Sequence, residues 1–164
     1  LIVVIAIIGV LAAILVPAML GYVRKSKVSG ANSAANTIQK AINTALTELD
    51  EEGEDIGVYK SVSGKATLTL STTSTGTDDV NTRFNRKIKN YMDKLGQYEV
   101  FGIIEGGVCQ AVACYKDSTY TGTSPAGVVN PENYSEYAGS AKYKTAAAAA
   151  YKLATGKEIT ISGT

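Results

Sequence analysis

Few side chains in this sequence belong to the types that carry out acid–base, nucleophilic or metal chemistry. The 164 residues include no histidine and only two cysteines, so the commonest zinc, copper and haem ligand sets are missing. The sequence also contains no GxSxG, Walker or HExxH motif, the patterns that position nucleophiles, phosphates and catalytic zinc. We therefore expect no enzymatic activity, no metal and no cofactor.

Two groups of charged residues could be read as binding sites. The run DEEGED at residues 50–55 holds five acids, but it lacks the alternating oxygen ligands of an EF-hand calcium loop and predicts a solvated loop that ends a helix. Four basic residues, Arg83, Arg86, Lys87 and Lys89, would suit DNA. With a formal net charge of +1 and no aromatic interleaving, they instead predict an exposed helix face, and no specific nucleic-acid partner is expected.

Cys109 and Cys114 are the two cysteines of the chain. If residues 108–115 form a continuous strand, five steps of ~3.3 Å place the two Cα atoms ~16 Å apart, well beyond the ~7 Å that a disulfide permits. The odd spacing also predicts side chains on opposite faces of the sheet. A free, largely buried pair is the favoured hypothesis, and a turn at residues 110–113 is the alternative that would allow a disulfide.

The elements that must position these residues form an α+β pattern. Apolar side chains between residues 28 and 49 recur at three- and four-residue spacing, which predicts an amphipathic helix continuous with the apolar residues before it. The other predicted elements are a strand at 63–71, a loop at 71–77, a helix from Asp78 or Asp79 to Leu95, a hairpin of strands 98–104 and 108–115, a loop at 117–139, a helix at 145–155 and a strand at 158–161.

The first 23 residues, LIVVIAIIGVLAAILVPAMLGYV, carry no charge. As a helix this run would be ~35 Å long, enough to cross a bilayer, so the protein is expected to be membrane-inserted at some stage. Pro17 deletes a backbone hydrogen bond to the carbonyl of Ala13, which a plain anchor does not need. Arg24, Lys25 and Lys27 follow directly, and by the positive-inside rule alone they would place the rest of the chain in the cytoplasm.

Residues 3–17, VVIAIIGVLAAILVP, closely resemble the amino-terminal segment of type IV pilins and of the related pseudopilins of type II secretion. The resemblance covers roughly the first quarter of the chain, and beyond Ala31 only the architecture can be compared. In the family about five further residues, ending in a glutamate used for assembly, precede the position that Leu1 matches. That glutamate is not among the 164 residues of this chain.

The resemblance implies a ladle-shaped α+β fold, with a long helix at residues 1–49 and a head at 50–164 in which an antiparallel sheet and additional short helices pack on the helix beyond about Val28. It further implies that the subunit waits in the cytoplasmic membrane, is processed by a prepilin peptidase, and is assembled by dedicated machinery into an extracellular homo-oligomeric filament for adhesion, motility or DNA uptake. The late helix at 145–155 is not expected from the usual pilin head.

The same resemblance implies roles for residues of the apolar segment. Gly9 and Pro17 bracket a stretch where the helix would loosen in the filament, the alternative being a simple kink within the membrane. The residues expected to pack in the filament core are Leu1, Ile5, Ile8, Leu11, Ala12 and Leu15. Many members of the family close a carboxy-terminal loop with a disulfide. The resemblance therefore keeps a disulfide between Cys109 and Cys114 open, as the less favoured alternative.

Two other functions remain open at this point. A pseudopilin would share every amino-terminal feature and form only short periplasmic fibres. A membrane-tethered binding or enzymatic domain with a fortuitous pilin-like anchor would instead be a stable monomer with a ligand pocket in its head, and the sequence supports neither property.

Overall fold

The computed structural model of the chain describes residues 1–72 and 78–161. Its helices and strands are α1 Ile2–Glu51, β1 Tyr59–Lys65, β2 Thr67–Thr72, α2 Asp78–Leu95, β3 Glu99–Glu105, β4 Val108–Tyr115, β5 Thr121–Ser124 and α3 Gly139–Thr155. Short 3-10 turns lie at Ile56–Val58 and Tyr134–Tyr137. The expected α+β class, with a long amino-terminal helix packed on an antiparallel sheet, is confirmed.

α1 is one helix of 50 residues whose two halves have different surroundings. Residues 1–27 are all exposed, and burial begins at Val28, where the apolar side chains narrow to a single stripe. The buried residues of α1 are Val28, Ala31, Ala34, Ala35, Ile38, Ala41, Ile42, Ala45, Leu46 and Leu49. The predicted amphipathic half is therefore confirmed, and its apolar stripe forms part of the core of the head.

The sheet has five antiparallel strands in the order β2-β1-β3-β4-β5. β3 and β4 form the hairpin predicted from the sequence. Its two turn residues, Gly106 and Gly107, have φ values of +62° and +79°, which a tight hairpin turn requires and glycine adopts without steric strain.

Helices cover both faces of this sheet. α1 and α2 pack on one face, in a core that includes Ile38, Leu46 and Phe84. α3 packs on the other face, where Ala146, Ala147 and Ala150 lie against Phe101 and other side chains of β3 and β4. The small alanine side chains let α3 lie close to the strands, so the run of five alanines serves as a packing surface as well as a helix former.

The strand predicted at residues 63–71 is wrong. The chain reverses at Ala66, which has a φ of +64°, and residues on either side pair with each other as β1 and β2. Leu68 and Leu70 are buried as predicted, whereas Ala66 is exposed at the turn. Gly64, two residues before Ala66, has a φ of +144° and is the local sign of this turn, but a single glycine also fits a strand, so the alternation resembles that of one strand. Of the predicted loop at 71–77, residues 73–77 lie outside the described residues, and the first two residues end β2.

The loop predicted at residues 117–139 is also wrong in part, because it contains β5. All four residues of β5 are buried, although three of them are Thr or Ser. A Cβ atom built on Gly122 would lie 2.0 Å from the carbonyl oxygen of Ala31, so glycine alone permits β5 to approach the backbone of α1. The polar composition of this segment predicts a surface loop, but its contact with α1 buries these residues.

The later helices and the chain end differ from expectation in detail. α2 spans Asp78–Leu95 as predicted. α3 ends at the predicted Gly156, whose φ of +75° suits a helix end, but it begins at Gly139 rather than at residue 145. The strand predicted at residues 158–161 is wrong, because these residues do not adopt strand structure.

Asparagine side chains from the helices form hydrogen bonds with backbone groups on both outer strands of the sheet. On β2, Asn85 accepts a hydrogen bond from the Leu68 N–H (2.7 Å) and donates one to its carbonyl oxygen (2.7 Å), while Asn81 accepts from the Leu70 N–H (2.8 Å). On β5, Asn32 of α1 accepts from the Thr123 N–H at 2.9 Å. Edge strands otherwise offer unpaired groups to other chains, so these contacts oppose sheet-to-sheet association.

Candidate functional site

The uncovered half of α1 carries most of the exposed large apolar side chains among the described residues. An 18-residue window of this helix is long and apolar enough to cross a membrane, and none of it is buried within the protein. The exposed fractions of its large apolar side chains lie between 44% at Val23 and 96% at Leu1. Soluble monomers rarely expose contiguous apolar surface of this extent, so the segment needs lipid or other protein around it.

The residues expected to pack in a filament core share one side of this helix. Leu1, Ile5, Ile8, Leu11 and Leu15 are between 52% and 96% exposed, and Ala12 is also exposed. At ~100° per residue, the six positions fall within a stripe about 120° wide. Apolar side chains such as Val10 (61% exposed) occupy the opposite side. The segment can therefore meet apolar neighbours in every direction, and the packing role of the stripe stays a prediction.

Gly9 and Pro17 lie in uninterrupted helix in the single subunit. A Cβ atom on Gly9 would meet nothing within 4 Å, so its glycine is not required by packing within the chain. Pro17 has no N–H to donate to the carbonyl of Ala13, which leaves one helical hydrogen bond unmade. The helix is thus locally weakened where loosening is predicted, and the loosening itself stays a prediction.

The buried half of α1 is fastened to the sheet by polar side chains as well as by apolar packing. Asn43 accepts a hydrogen bond from the Cys109 N–H at 2.7 Å, and Gln39 donates to the Cys109 carbonyl oxygen at 2.9 Å. Ser124 donates from its hydroxyl to the Gln39 side-chain oxygen. The sequence pattern places Asn and Gln on the solvated side of the helix. It does not indicate that they form hydrogen bonds with the sheet, because their partners come within reach only when β4 and β5 lie beside α1.

The hydrogen bonds to Cys109 mark an irregularity in β4. Ile103 pairs with Ala111 and Ile104 with Cys109, so Gln110 is an extra residue, a β-bulge. The bulge reverses the alternation of side chains, and Cys109 and Cys114 consequently belong to the same core cluster, with α1. The prediction that they point to opposite faces is therefore wrong.

Both cysteines are free and buried, as the favoured hypothesis predicts. Desolvation by burial raises the pKa of each thiol to about 12. A thiol that stays protonated at neutral pH is a poor nucleophile and a poor metal ligand. The two cysteines act as small apolar core residues.

The acidic run and the basic helix face, treated separately in the sequence, meet in the fold. Arg83 pairs with Glu52 (3.1 Å) and Glu54, and Lys87 pairs with Glu52 and with Glu48 (3.8 Å). The hydrogen bond from Lys87 is the main reason that the pKa of Glu52 is lowered. The acids at the end of α1 thus anchor α2, and within residues 1–72 and 78–161 no three His, Cys, Asp or Glu side chains form a group that could hold a metal ion.

Comparisons with known proteins add no family assignment. No family model matches the chain, and neither the curated proteins nor the solved structures contain a match to it. The long apolar helix packed on an antiparallel sheet is consistent with a pilin-like shape, and functional inference depends on the geometry described above.

Proposed function

We propose that this protein is the structural subunit of a type IV pilus-like filament, in which copies of α1 bundle at the centre and the heads form the outer surface. One observation carries the proposal. A single continuous helix has one half built into the core of the head and the other half, apolar on all sides, covered by none of the residues that the structure describes.

This arrangement suits a subunit with two successive environments. Before assembly, the apolar half lies in the cytoplasmic membrane, where lipid surrounds it. In the filament, neighbouring helices replace the lipid, and close packing between helices stabilises the bundle. The fastening of α1 to the sheet through Gln39 and Asn43 keeps the head attached to the helix when assembly machinery extracts the subunit into an extracellular filament.

The proposal is tested by imaging material sheared from cells that produce the full-length protein together with its assembly machinery. Electron microscopy with helical reconstruction should show long thin filaments with residues 1–23 at the centre. Short fibres that stay in the periplasm would instead indicate a pseudopilin. Membrane-bound monomers without fibres would overturn assembly as the function.

A matched pair of variants tests the predicted packing stripe. Ile8 lies in the middle of the stripe and Ile14 lies outside it, ~120° around the helix from Ile8, with similar exposed fractions of 59% and 68%. Ile8→Ala should reduce the yield of filaments more than Ile14→Ala, because each removes the same apolar volume from a different side. Both variants should enter the membrane equally, and equal filament yields would contradict the assignment of the stripe.

A further inference from the structure

Basic side chains gather where α1 leaves the head. Arg24, Lys25 and Lys27 are consecutive exposed charges on α1, and the exposed Lys116 follows β4 beside them. We name these four residues the neck cluster. Among the described residues, none of the four forms a salt bridge within 4.0 Å. Their charges are therefore available to a ligand from outside the chain.

Tyrosine rings lie among these charges. The Arg24 guanidinium sits 5.5 Å from the ring centre of Tyr134, whose ring in turn is 5.1 Å from that of Tyr120. The Lys116 ammonium is 6.0 Å from the centre of Tyr98. Tyrosine interleaved with lysine and arginine is typical of protein surfaces at the level of lipid headgroups, where one end of the ring meets apolar matter and the hydroxyl meets water.

The length of the apolar segment places this cluster at that level. Twenty-three helical residues span ~35 Å, slightly more than the ~30 Å hydrocarbon thickness of a bilayer. A helix that buries residues 1–23 in lipid therefore presents Arg24, Lys25 and Lys27 to the headgroups. Tyr134 and Lys116, which belong to the head, are brought to the same depth by their contacts beside α1.

A recess of about 190 Å³ lies between α1 and the segment after β4, with Lys27 and Lys116 on its walls beside Tyr98 and Tyr120. The one acid on its lining is Asp117. That carboxylate accepts the backbone N–H of Thr119 at 2.9 Å, and this hydrogen bond is the main reason that its pKa is lowered, with Lys27 adding a smaller effect. Two bases against one acid give the lining of the recess a net positive charge.

We propose that the neck cluster is a docking surface for the phosphate groups of anionic lipids around α1, and that it holds the head against the bilayer before the subunit is extracted. This inference rests on the membrane-inserted stage of the proposed function. Zwitterionic lipid lacks the net negative charge that would complement the cluster, whereas each basic residue near an anionic surface gains about fivefold in binding.

The test measures acylation of individual lysines by an uncharged, membrane-impermeant amine reagent, read by mass spectrometry. The full chain is reconstituted into vesicles of phosphatidylcholine alone or with phosphatidylglycerol. Lys27 and Lys116 should react about fivefold more slowly on the anionic vesicles. Lys40 and Lys60, also exposed, are internal controls and should react at equal rates on both.

The controls are remote from the lipid surface. Lys40 lies ~20 Å further along α1 than Lys27, about two screening lengths at 0.1 M salt. Lys60 is at the start of β1, the end of the strand that is farther from the neck. At the other end, Lys65 pairs with Glu99, and Glu99 pairs with Tyr115, the residue before Lys116. Slower reaction at all four lysines would reflect a general effect of the charged surface and would overturn the proposal.

Two further outcomes would also overturn it. Equal rates at Lys27 and Lys116 on both kinds of vesicle would show that the neck does not recognise anionic lipid. Protection by inorganic phosphate added to phosphatidylcholine vesicles, matching that of phosphatidylglycerol, would assign the site to a free anion. Co-flotation separates this inference from the proposed function: a chain that floats with neither vesicle overturns the membrane stage and both proposals, whereas a floating chain without selective protection overturns this inference alone.

Discussion

A methyl group added at Gly122 tests the close approach of β5 to α1. The Cβ atom of alanine would lie 2.0 Å from the carbonyl oxygen of Ala31, 2.1 Å from its carbonyl carbon and 2.6 Å from the backbone nitrogen of Asn32. Ordinary van der Waals contact begins near 3.4 Å. The clashing atoms are helix backbone and cannot rotate away, so α1 and β5 would have to separate by more than 1 Å.

The size of the effect follows from what that separation disrupts. Overpacking a core typically destabilises by ~1–3 kcal/mol and occasionally more. Moving α1 away also weakens the hydrogen bond from the Thr123 N–H to Asn32, worth ~1 kcal/mol. We expect Gly122→Ala to lower the free energy of unfolding by about 3 kcal/mol or more. Extended backbone at Gly122 accepts alanine, so strain at that residue contributes nothing.

Gly30→Ala is the matched control. Gly30 lies in α1 one residue before Ala31, and its added Cβ atom meets nothing within 4 Å. Replacing a helical glycine with alanine should raise stability by ~1 kcal/mol. The same substitution therefore changes the free energy of unfolding in opposite directions at the two sites. The unfolding free energies of the two variants should differ by about 4 kcal/mol.

Urea unfolding of the full chain in a non-ionic detergent measures this difference. The detergent covers the apolar half of α1, and near-ultraviolet circular dichroism follows the tyrosines, nine of which lie after residue 50. A loss below about 1 kcal/mol for Gly122→Ala, smaller than overpacking against helix backbone should cost, would show that β5 and α1 do not approach this closely.

Three further predictions concern the edge of the sheet, the thiols and the acids. Asn85→Ala should destabilise the head by ~1–3 kcal/mol in urea unfolding, because the N–H and carbonyl of the buried Leu68 lose their partner. At pH 8 a thiol with a pKa of about 12, such as that of Cys109, is ionised in ~1 molecule in 10⁴, so a thiol reagent should label the folded chain at least ~1000-fold more slowly than the unfolded chain. The hydrogen bond from Lys87 lowers the pKa of Glu52 from its ordinary value of 4.5. The ionised Glu52 therefore stabilises the fold above pH 4.5, and an acid titration of unfolding should show this contribution being lost as the pH falls through and below that value.

Each of these measurements has a control. Asn90→Ala removes an exposed asparagine from the same helix and should leave stability within ~0.5 kcal/mol, so an equal loss in both variants would contradict the edge contact. Labelling in urea gives the rate for the unfolded thiol, and a native rate close to it would contradict burial. High salt should weaken the acid effect because the pairs involving Glu52 are exposed, and an unchanged titration with Lys87→Gln would contradict the assignment.

Elements with strong local signals could be predicted closely from the sequence. Three features were of this kind: the continuous helix, the hairpin that turns at two glycines, and the end of α3 at Gly156. In each, the local residue types favour one backbone conformation over the others. The turn at Ala66 and the strand β5 could not be predicted in this way. Gly64 is the one local sign of the turn and fits a strand equally well. Thr and Ser do not favour burial, so the burial of β5 depends on its contact with α1.

The composition and length of residues 1–23 are enough to establish that this chain has an apolar helix in need of lipid or protein neighbours. The spacing of apolar residues also establishes the stripe by which α1 joins the head. Tertiary structure decided which polar groups matter. A bulge at Gln110 turned both cysteines to one face, Asn43 and Asn85 found backbone partners far along the chain, and Lys116 came beside Lys27. Hydrogen bonds and charge clusters depend on distances between segments remote in sequence, and only the folded chain sets those distances.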